Sequence, residues 1–242
     1  MELKDLIYKR KSCRSYTGKP VDSGTLENIR AFVSAAKPLY PHIRVQMDIA
    51  EKDSVRCIFP WVTPQLICIY SEETEGFLEN AGFIFQQLDL YMQSLGLGVC
   101  WLGMGRLTSK EAGTAEKEGL EFVIMLSFGH PKGSPHRNPE GFKRKKLSQI
   151  SDIEDSRLDP ARLAPSSVNS QPWYFVHEGE IIHVYCALQG KLINRFLSDM
   201  NRIDIGIALA HLYVSNPDSF SFSYRDDARR LKGYEYMGSV II

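Results

Sequence analysis

The chain has 242 residues, 43% hydrophobic and 24% charged, the balance of a folded, water-soluble protein with enough length for a sizeable core. Its 29 Lys and Arg residues equal its 29 Asp and Glu residues, so no overall field attracts nucleic acid or a membrane, and any anion site must be a local cluster. No apolar run approaches the ~20 residues that span a bilayer; five scattered cysteines without a CxxC pair and six histidines without HxH or HxxxH spacing favour free thiols in a reducing cytoplasm over a disulfide framework or a metal site.

The opening Met-Glu-Leu-Lys-Asp-Leu places acids where a secretory signal is apolar. Residues 2–10 read as a short helix with Leu3, Leu6 and Ile7 on one face. Asp22 or Ser23 caps a second helix whose Leu26, Ile29, Phe32, Val33 and Ala36 recur at helical spacing, and Pro38 and Pro41 stop it. Strands are expected at 43–50 and at Gln65–Tyr70. The widest apolar helical face runs from 76 to 95 and includes Phe77, Ile84, Leu88, Met92 and Leu95, with Gly96 as its stop. A glycine-rich path, GLGVCWLGMG, follows. Ser109–Glu118 reads as a short polar helix, Glu121–Gly129 as a central strand and 130–146 as an ordered basic loop. From 151 the pattern gives a short helix to about Leu163, then strands at Trp173–His177 and Ile181–Tyr185. A helix from about Ile203 to Val214 and strands at Phe220–Tyr224 and Tyr236–Ile242 close the chain. Helices and strands without a regular βαβ period predict an α+β class, a mixed β-sheet core flanked by helices.

Residues 1–150 and 151–242 repeat one order of elements within a single unit. A helix ending in Ala35-Ala36-Lys37-Pro38 leads through a strand pair to the Asn80-Ala81-Gly82 helix. A helix ending in Arg162-Leu163-Ala164-Pro165 leads likewise to the Asp204-Ile205-Gly206 helix. This order predicts two related halves around a pseudo-two-fold axis, an intramolecular pseudo-dimer.

Three segments carry chemistry. Arg10-Lys11-Ser12-Cys13-Arg14-Ser15 gathers three cations and two hydroxyls, a donor set for phosphate or, equally, a solvated basic helix end. Ala164-Pro165-Ser166-Ser167-Val168-Asn169-Ser170-Gln171-Pro172-Trp173 is a proline-stiffened turn whose amides both donate and accept. Leu95–Gly103 lets a planar ligand approach the backbone, but its spacing is not a dinucleotide fingerprint.

Together these segments resemble the FMN-dependent nitroreductase family. RKSCRSY is similar to that family's R-R-S-x-R opening, APSSVNSQPW to its A-P-S-x-x-N-x-Q-P-W motif and LGLGVCWLG to its G-L-G-x-x-W segment. FGHPKG with FKRKK is similar to its closing G-x-P and basic residues. The order departs from the family's. Ala36-Lys37-Pro38-Leu39-Tyr40-Pro41-His42 stands where the serine and asparagine loop is expected, and the intact loop lies in the second half. The resemblance therefore implies a nitroreductase-like fold in which two subunits are fused, with one complete flavin site and one decayed site.

By that resemblance Arg10, Lys11, Ser12 and Arg14 hold the phosphate and ribityl chain of FMN, with one of Arg144, Lys145 and Lys146. Pro165, Ser166, Ser167, Asn169 and Gln171 line the isoalloxazine. Trp101, Leu102 and Gly103 pass near its reactive edge, and Asn80 either touches the ring or caps its helix. NADH or NADPH is the implied co-substrate and a nitroaromatic, quinone or related electron-poor small molecule the implied acceptor, in a two-step exchange. No protein acid–base pair, nucleic acid or membrane partner is required. A monomer is implied, with further association open. The alternative is an FMN-binding protein with little or no reductase activity.

Overall fold

The computed structural model describes residues 2–58, 61, 63–108, 119–188 and 195–242. Helix α1 (Leu3–Ile7) buries Leu6 and Ile7 and ends earlier than its apolar pattern suggests. Tertiary pairing explains the difference, because Arg10 forms an antiparallel bridge with His136 and pulls the chain out of helical geometry. Helix α2 (Ser23–Ala35) has Asp22 as its cap, with the carboxylate accepting from Thr25 N at 3.0 Å.

Strands β1 (Val45–Glu51), β2 (Val55–Arg56) and β3 (Gln65–Ser71) precede the long helix α3 (Phe77–Ser94). Gly96, at φ 80°, ends that helix in the left-handed conformation, and Leu97 N bonds back to Met92 O. Strands β4 (Gly98–Leu102), β5 (Arg106–Leu107) and β6 (Glu121–Gly129) follow. The first sheet has the order β1-β3-β6-β4, every pair antiparallel, while β2 and β5 form a separate two-stranded ladder. The helix expected at Ser109–Glu118 lies outside the described residues.

The second half opens with short helices α4 (Leu147–Ile150) and α5 (Asp159–Arg162), then strands β7 (Trp173–Glu178) and β8 (Ile181–Ala187). Helix α6 (Arg195–Ser215) and strands β9 (Ser221–Ser223) and β10 (Tyr234–Ile241) complete it, with antiparallel sheet order β7-β8-β10-β9. The short helix expected to end near Leu163 is present as a 3-10 turn over Ser156–Leu158 that runs into α5, while the residues from 151 to 155 are not helical. Ser151 makes a parallel bridge to Phe175, and the Asp152 carboxylate accepts from His177 N, so this stretch runs along β7. Helix α6 starts at Arg195 rather than near Ile203. Its early polar residues hid the periodicity because Arg202 pairs with Glu79 and Glu235 across the molecule.

Helices α3 and α6 pack against each other, and one continuous core joins them to the inner faces of both sheets through Phe83, Ile84, Ile205, Leu209, Ile69 and Val184. At their crossing a Cβ on Gly82 would overlap the Ile203 carbonyl oxygen, and a Cβ on Gly206 would overlap the Glu79 carbonyl oxygen. Only glycine lets the two backbones approach so closely. The observed architecture is α+β, with two four-stranded antiparallel sheets and two long packed helices.

Candidate functional site

A cleft of about 300 Å³ is lined by Ser12, Arg14, Trp61, Cys100, Trp101 and Gly103 from the earlier part of the chain, and by Pro165, Ser166, Ser167, Val168 and Asp204 from the later part. Apolar side chains of α6, among them Met200, Ile203 and Ile207, form one wall. Cys13 N donates to Val99 O at 2.8 Å, and Ser12 bridges Val99, so the RKSCRSY segment runs beside β4. That placement brings Ser12 and Arg14 to the same opening as Trp101.

The 164–173 turn is held from two sides. Ser167 N donates to both carboxylate oxygens of Asp204, at 3.1 and 3.0 Å, and Gln171 N donates to Ser166 Oγ at 2.9 Å. From the other side Arg144 donates to Ala164 O at 3.0 Å and to Asn169 Oδ1 at 2.6 Å, while Lys145 N donates to Gln171 Oε1 at 2.7 Å. Val168, Asn169 and Gln171 all sit at positive φ, 47°, 58° and 49°. Left-handed backbone at a β-branched residue is costly and persists only where the surroundings enforce it. The result is a rigid turn with Val168 at its tip, 89% exposed beside the cleft.

Cations crowd below this turn. Arg10 is fully buried. Its Nη2 lies 3.3 Å from Asp89 Oδ2, yet neither Nε nor Nη2 makes a hydrogen bond. Arg137 Nε is also buried without a hydrogen bond. Burial, reinforced by the charges of Arg10, Arg137 and Arg162, lowers the Arg144 guanidinium to about 10. Arg137 is lowered by burial and by Arg10 and Arg14. Arg14 stacks over Trp61 with its Cζ 4.6 Å from the ring centroid. Arg10 carries Asp89 as its counter-charge, and none of Arg10, Arg137 and Arg144 lines the cleft, so among these cations Arg14 is the one at its opening.

A directional chain braces the cleft wall. Trp101 Nε1 donates to Gln86 Oε1 at 3.3 Å, so the Gln86 amide nitrogen faces His211 Nε2 at 3.1 Å and must donate to it. His211 Nδ1 then donates to Pro160 O at 2.8 Å, which fixes the tautomer. Complete burial lowers the His211 pKa to about 3. The folded state thus binds this proton less readily than the unfolded chain, and stability falls as pH drops below the unfolded value of about 6.5. His211 should contribute a loss of about 2 kcal/mol on going from neutrality to pH 5. Comparing urea unfolding of the wild type and His211→Leu across pH 5–7.5 isolates this slope; equal slopes would exclude it. Asp204 is raised well above the carboxylate range by its burial, partly offset by the Ser167 and Ser170 bonds. Burial pushes the Cys100 thiol up to about 11, which makes it an unreactive wall residue.

Several expected site residues lie elsewhere. Leu102 follows Trp101 in an extended strand, so it points to the opposite face and packs in the core with Cys68 and Met125. Asn80 neither caps α3, whose cap is Gly76, nor lines the cleft. Its Oδ1 accepts from Leu39 N and Tyr40 N, both at 2.9 Å. Asn169 and Gln171 spend their amides on residues 143–145, and Lys145 Nζ donates to Gln171 O. Arg10, Lys11 and Lys146 are also absent from the cleft lining, with Lys11 N donating to Gln93 Oε1 and Lys146 opening α4. Conversely, Trp61, Asp204 and Arg137 were not singled out as site residues. Asp204 had a signal, since the order of elements in the sequence aligns it with Asn80; Trp61 had none.

Among the described residues no group of His, Cys, Asp and Glu is placed to hold a metal ion, and no helix is long and apolar enough to cross a membrane. No curated protein matches the chain. The structure of a nitroreductase from Thermotoga maritima MSB8 superposes with a TM-score of 0.69 at 17% identity, over 100% of this chain and 94% of that one. A nitroreductase family protein from Clostridium difficile 630 gives 0.49 at 19% identity, over 64% and 99%. An FMN-dependent nitroreductase from Clostridium difficile R20291 gives 0.43 at 15%, over 60% and 95%. The family model described as "Putative TM nitroreductase" matches residues 2–216, and the chain belongs to that nitroreductase family of oxidoreductases.

Proposed function

We propose that the protein is an FMN-dependent oxidoreductase that takes electrons from NADH or NADPH and passes them to electron-poor acceptors such as nitroaromatics, quinones or activated alkenes. The observation that carries this reading is the cleft itself, where the braced 164–173 turn and the apolar wall of α6 face Ser12, Arg14 and Trp101. FMN, when bound, supplies the hydride and electron chemistry, so no nucleophile or acid–base pair is needed from the protein. Arg14 would hold its phosphate and Ser12 its ribityl chain, with Arg137 and Arg144 adding positive charge from beside the cleft. Pro165, Ser166 and Ser167 would line the ring, while Trp101, Met200 and Ile207 exclude water from one side. The five cysteines, all free, fit a reducing cytoplasm.

Residues 1–150 and 151–242 are read as two related halves of one unit. The reciprocal crossing supports this: Gly82 meets the residue three before Gly206, and Gly206 meets the residue three before Gly82. Asn80 holds Leu39 and Tyr40 as Asp204 holds Ser167. Where a second cleft would open, the Tyr40 ring packs over Gly76 and meets Phe222 edge-on at 5.5 Å. One flavin per chain follows, and the chain needs no partner copy to complete the site.

Under anaerobic conditions NADH or NADPH should bleach the yellow protein, and an added quinone or nitroaromatic should restore the colour. A yellow protein that neither nucleotide bleaches would be a flavin carrier and would overturn the oxidoreductase reading.

A further inference from the structure

A second groove, of about 840 Å³, adjoins the cleft and shares Met104 with it. Its walls come from the β2–β5 ladder, which no sequence motif announced. In that ladder Arg56 and Arg106 are direct register partners. Like charges directly opposite each other in an antiparallel pair destabilise it. The Arg106 guanidinium donates to Gly103 O at 3.2 Å and to Gly105 O at 2.7 Å, which anchors it at the boundary between groove and cleft. Lys52 adds a third cation, and Asp53 is the acid in the lining. The floor is apolar, with Val55, Ile58 and Met104; Ile58 is 70% exposed and Met104 45%. A cationic rim over an exposed apolar floor, continuous with a ligand cleft, suits an anion that also carries a flat ring.

We propose that this groove binds the phosphate-bearing adenosine end of the nicotinamide co-substrate, with Arg56 and Lys52 as its determinants. The inference rests on the flavin reading of the cleft, because a dinucleotide that reacts there must extend its remaining half outward. The groove at Met104 is the cationic path that meets the cleft mouth.

Titration calorimetry of the purified protein with NADP⁺ tests this, with the flavin-to-chain ratio recorded for every variant. Arg56→Ala should weaken NADP⁺ binding about fivefold and Arg56→Glu more, since both remove a partly exposed phosphate partner. Lys52→Ala should weaken it less. Raising the salt should narrow the gap between wild type and variants. Nicotinamide mononucleotide, which lacks the adenosine end, should bind wild type and Arg56→Ala alike. Equal NADP⁺ affinity in wild type, Arg56→Ala and Arg56→Glu would overturn the proposal. So would an equal loss for nicotinamide mononucleotide, which would place Arg56 at the cleft itself. A preparation that takes up no flavin would defeat the flavin reading instead, and the NADP⁺ titration would still report on the groove.

Discussion

Replacing Arg144 with alanine should weaken FMN binding by about 2–4 kcal/mol, roughly 30- to 1000-fold. Two effects combine. The substitution removes one cation from a group of like charges that includes Arg10, Arg137 and Arg162. It also frees the 164–173 turn, because Arg144 donates to Ala164 O, Leu163 O and Asn169 Oδ1. With those bonds gone, the positive-φ geometry at Val168 and Asn169 loses its support. Arg144→Lys should fall between, since it keeps the charge and loses the fork. Arg14→Ala should cost less, about 1–2 kcal/mol, because Arg14 is exposed and braces no backbone. Flavin fluorescence titration of apoprotein measures all three. An Arg144→Ala protein of wild-type affinity would remove Arg144 from the site.

Gly206→Ala should destabilise the fold by about 3 kcal/mol. The new methyl group would press on the Glu79 carbonyl oxygen, and Phe83 N stands next to it. Backbone on both sides leaves no flexible side chain to yield. Gly82→Ala should behave similarly against Ile203. The double variant should cost less than the two single costs combined, because either methyl group already forces α3 and α6 apart. Gly141→Ala, where a Cβ meets only Arg137 at ordinary distances, is the control and should change little. Urea unfolding gives the free energies. A near-neutral Gly206→Ala would mean that the helices do not cross this closely.

Long apolar periodicities made much of the fold legible. Helix α3 matched its expected range within a residue at each end, and β3 and β6 fell where short apolar runs predicted them. Local pattern failed where tertiary pairing took over. Arg10 left α1 to pair with His136, and Arg202 disguised the start of α6 by serving an ion pair. The β2–β5 ladder, two residues on each side, is too short for any periodicity.

The site was legible as segments but not as individual contacts. Ser12, Arg14, Trp101, Gly103 and Pro165–Ser167 reach the cleft. Asn169 and Gln171, the most distinctive residues of the turn, instead brace it against residues 143–145. Sequence identifies a polar side chain but not which neighbour will satisfy it. Leu102 was misplaced for a simpler reason, since strand alternation sends it to the face opposite Trp101.

The central claim is one flavin held between the halves of each chain. It is tested most directly by the flavin-to-chain ratio of purified protein after saturation with FMN and removal of the excess. A ratio near one is expected. A ratio near two would mean that the space filled by Tyr40 and Phe222 also binds, and a colourless protein that takes up no FMN would contradict the account altogether.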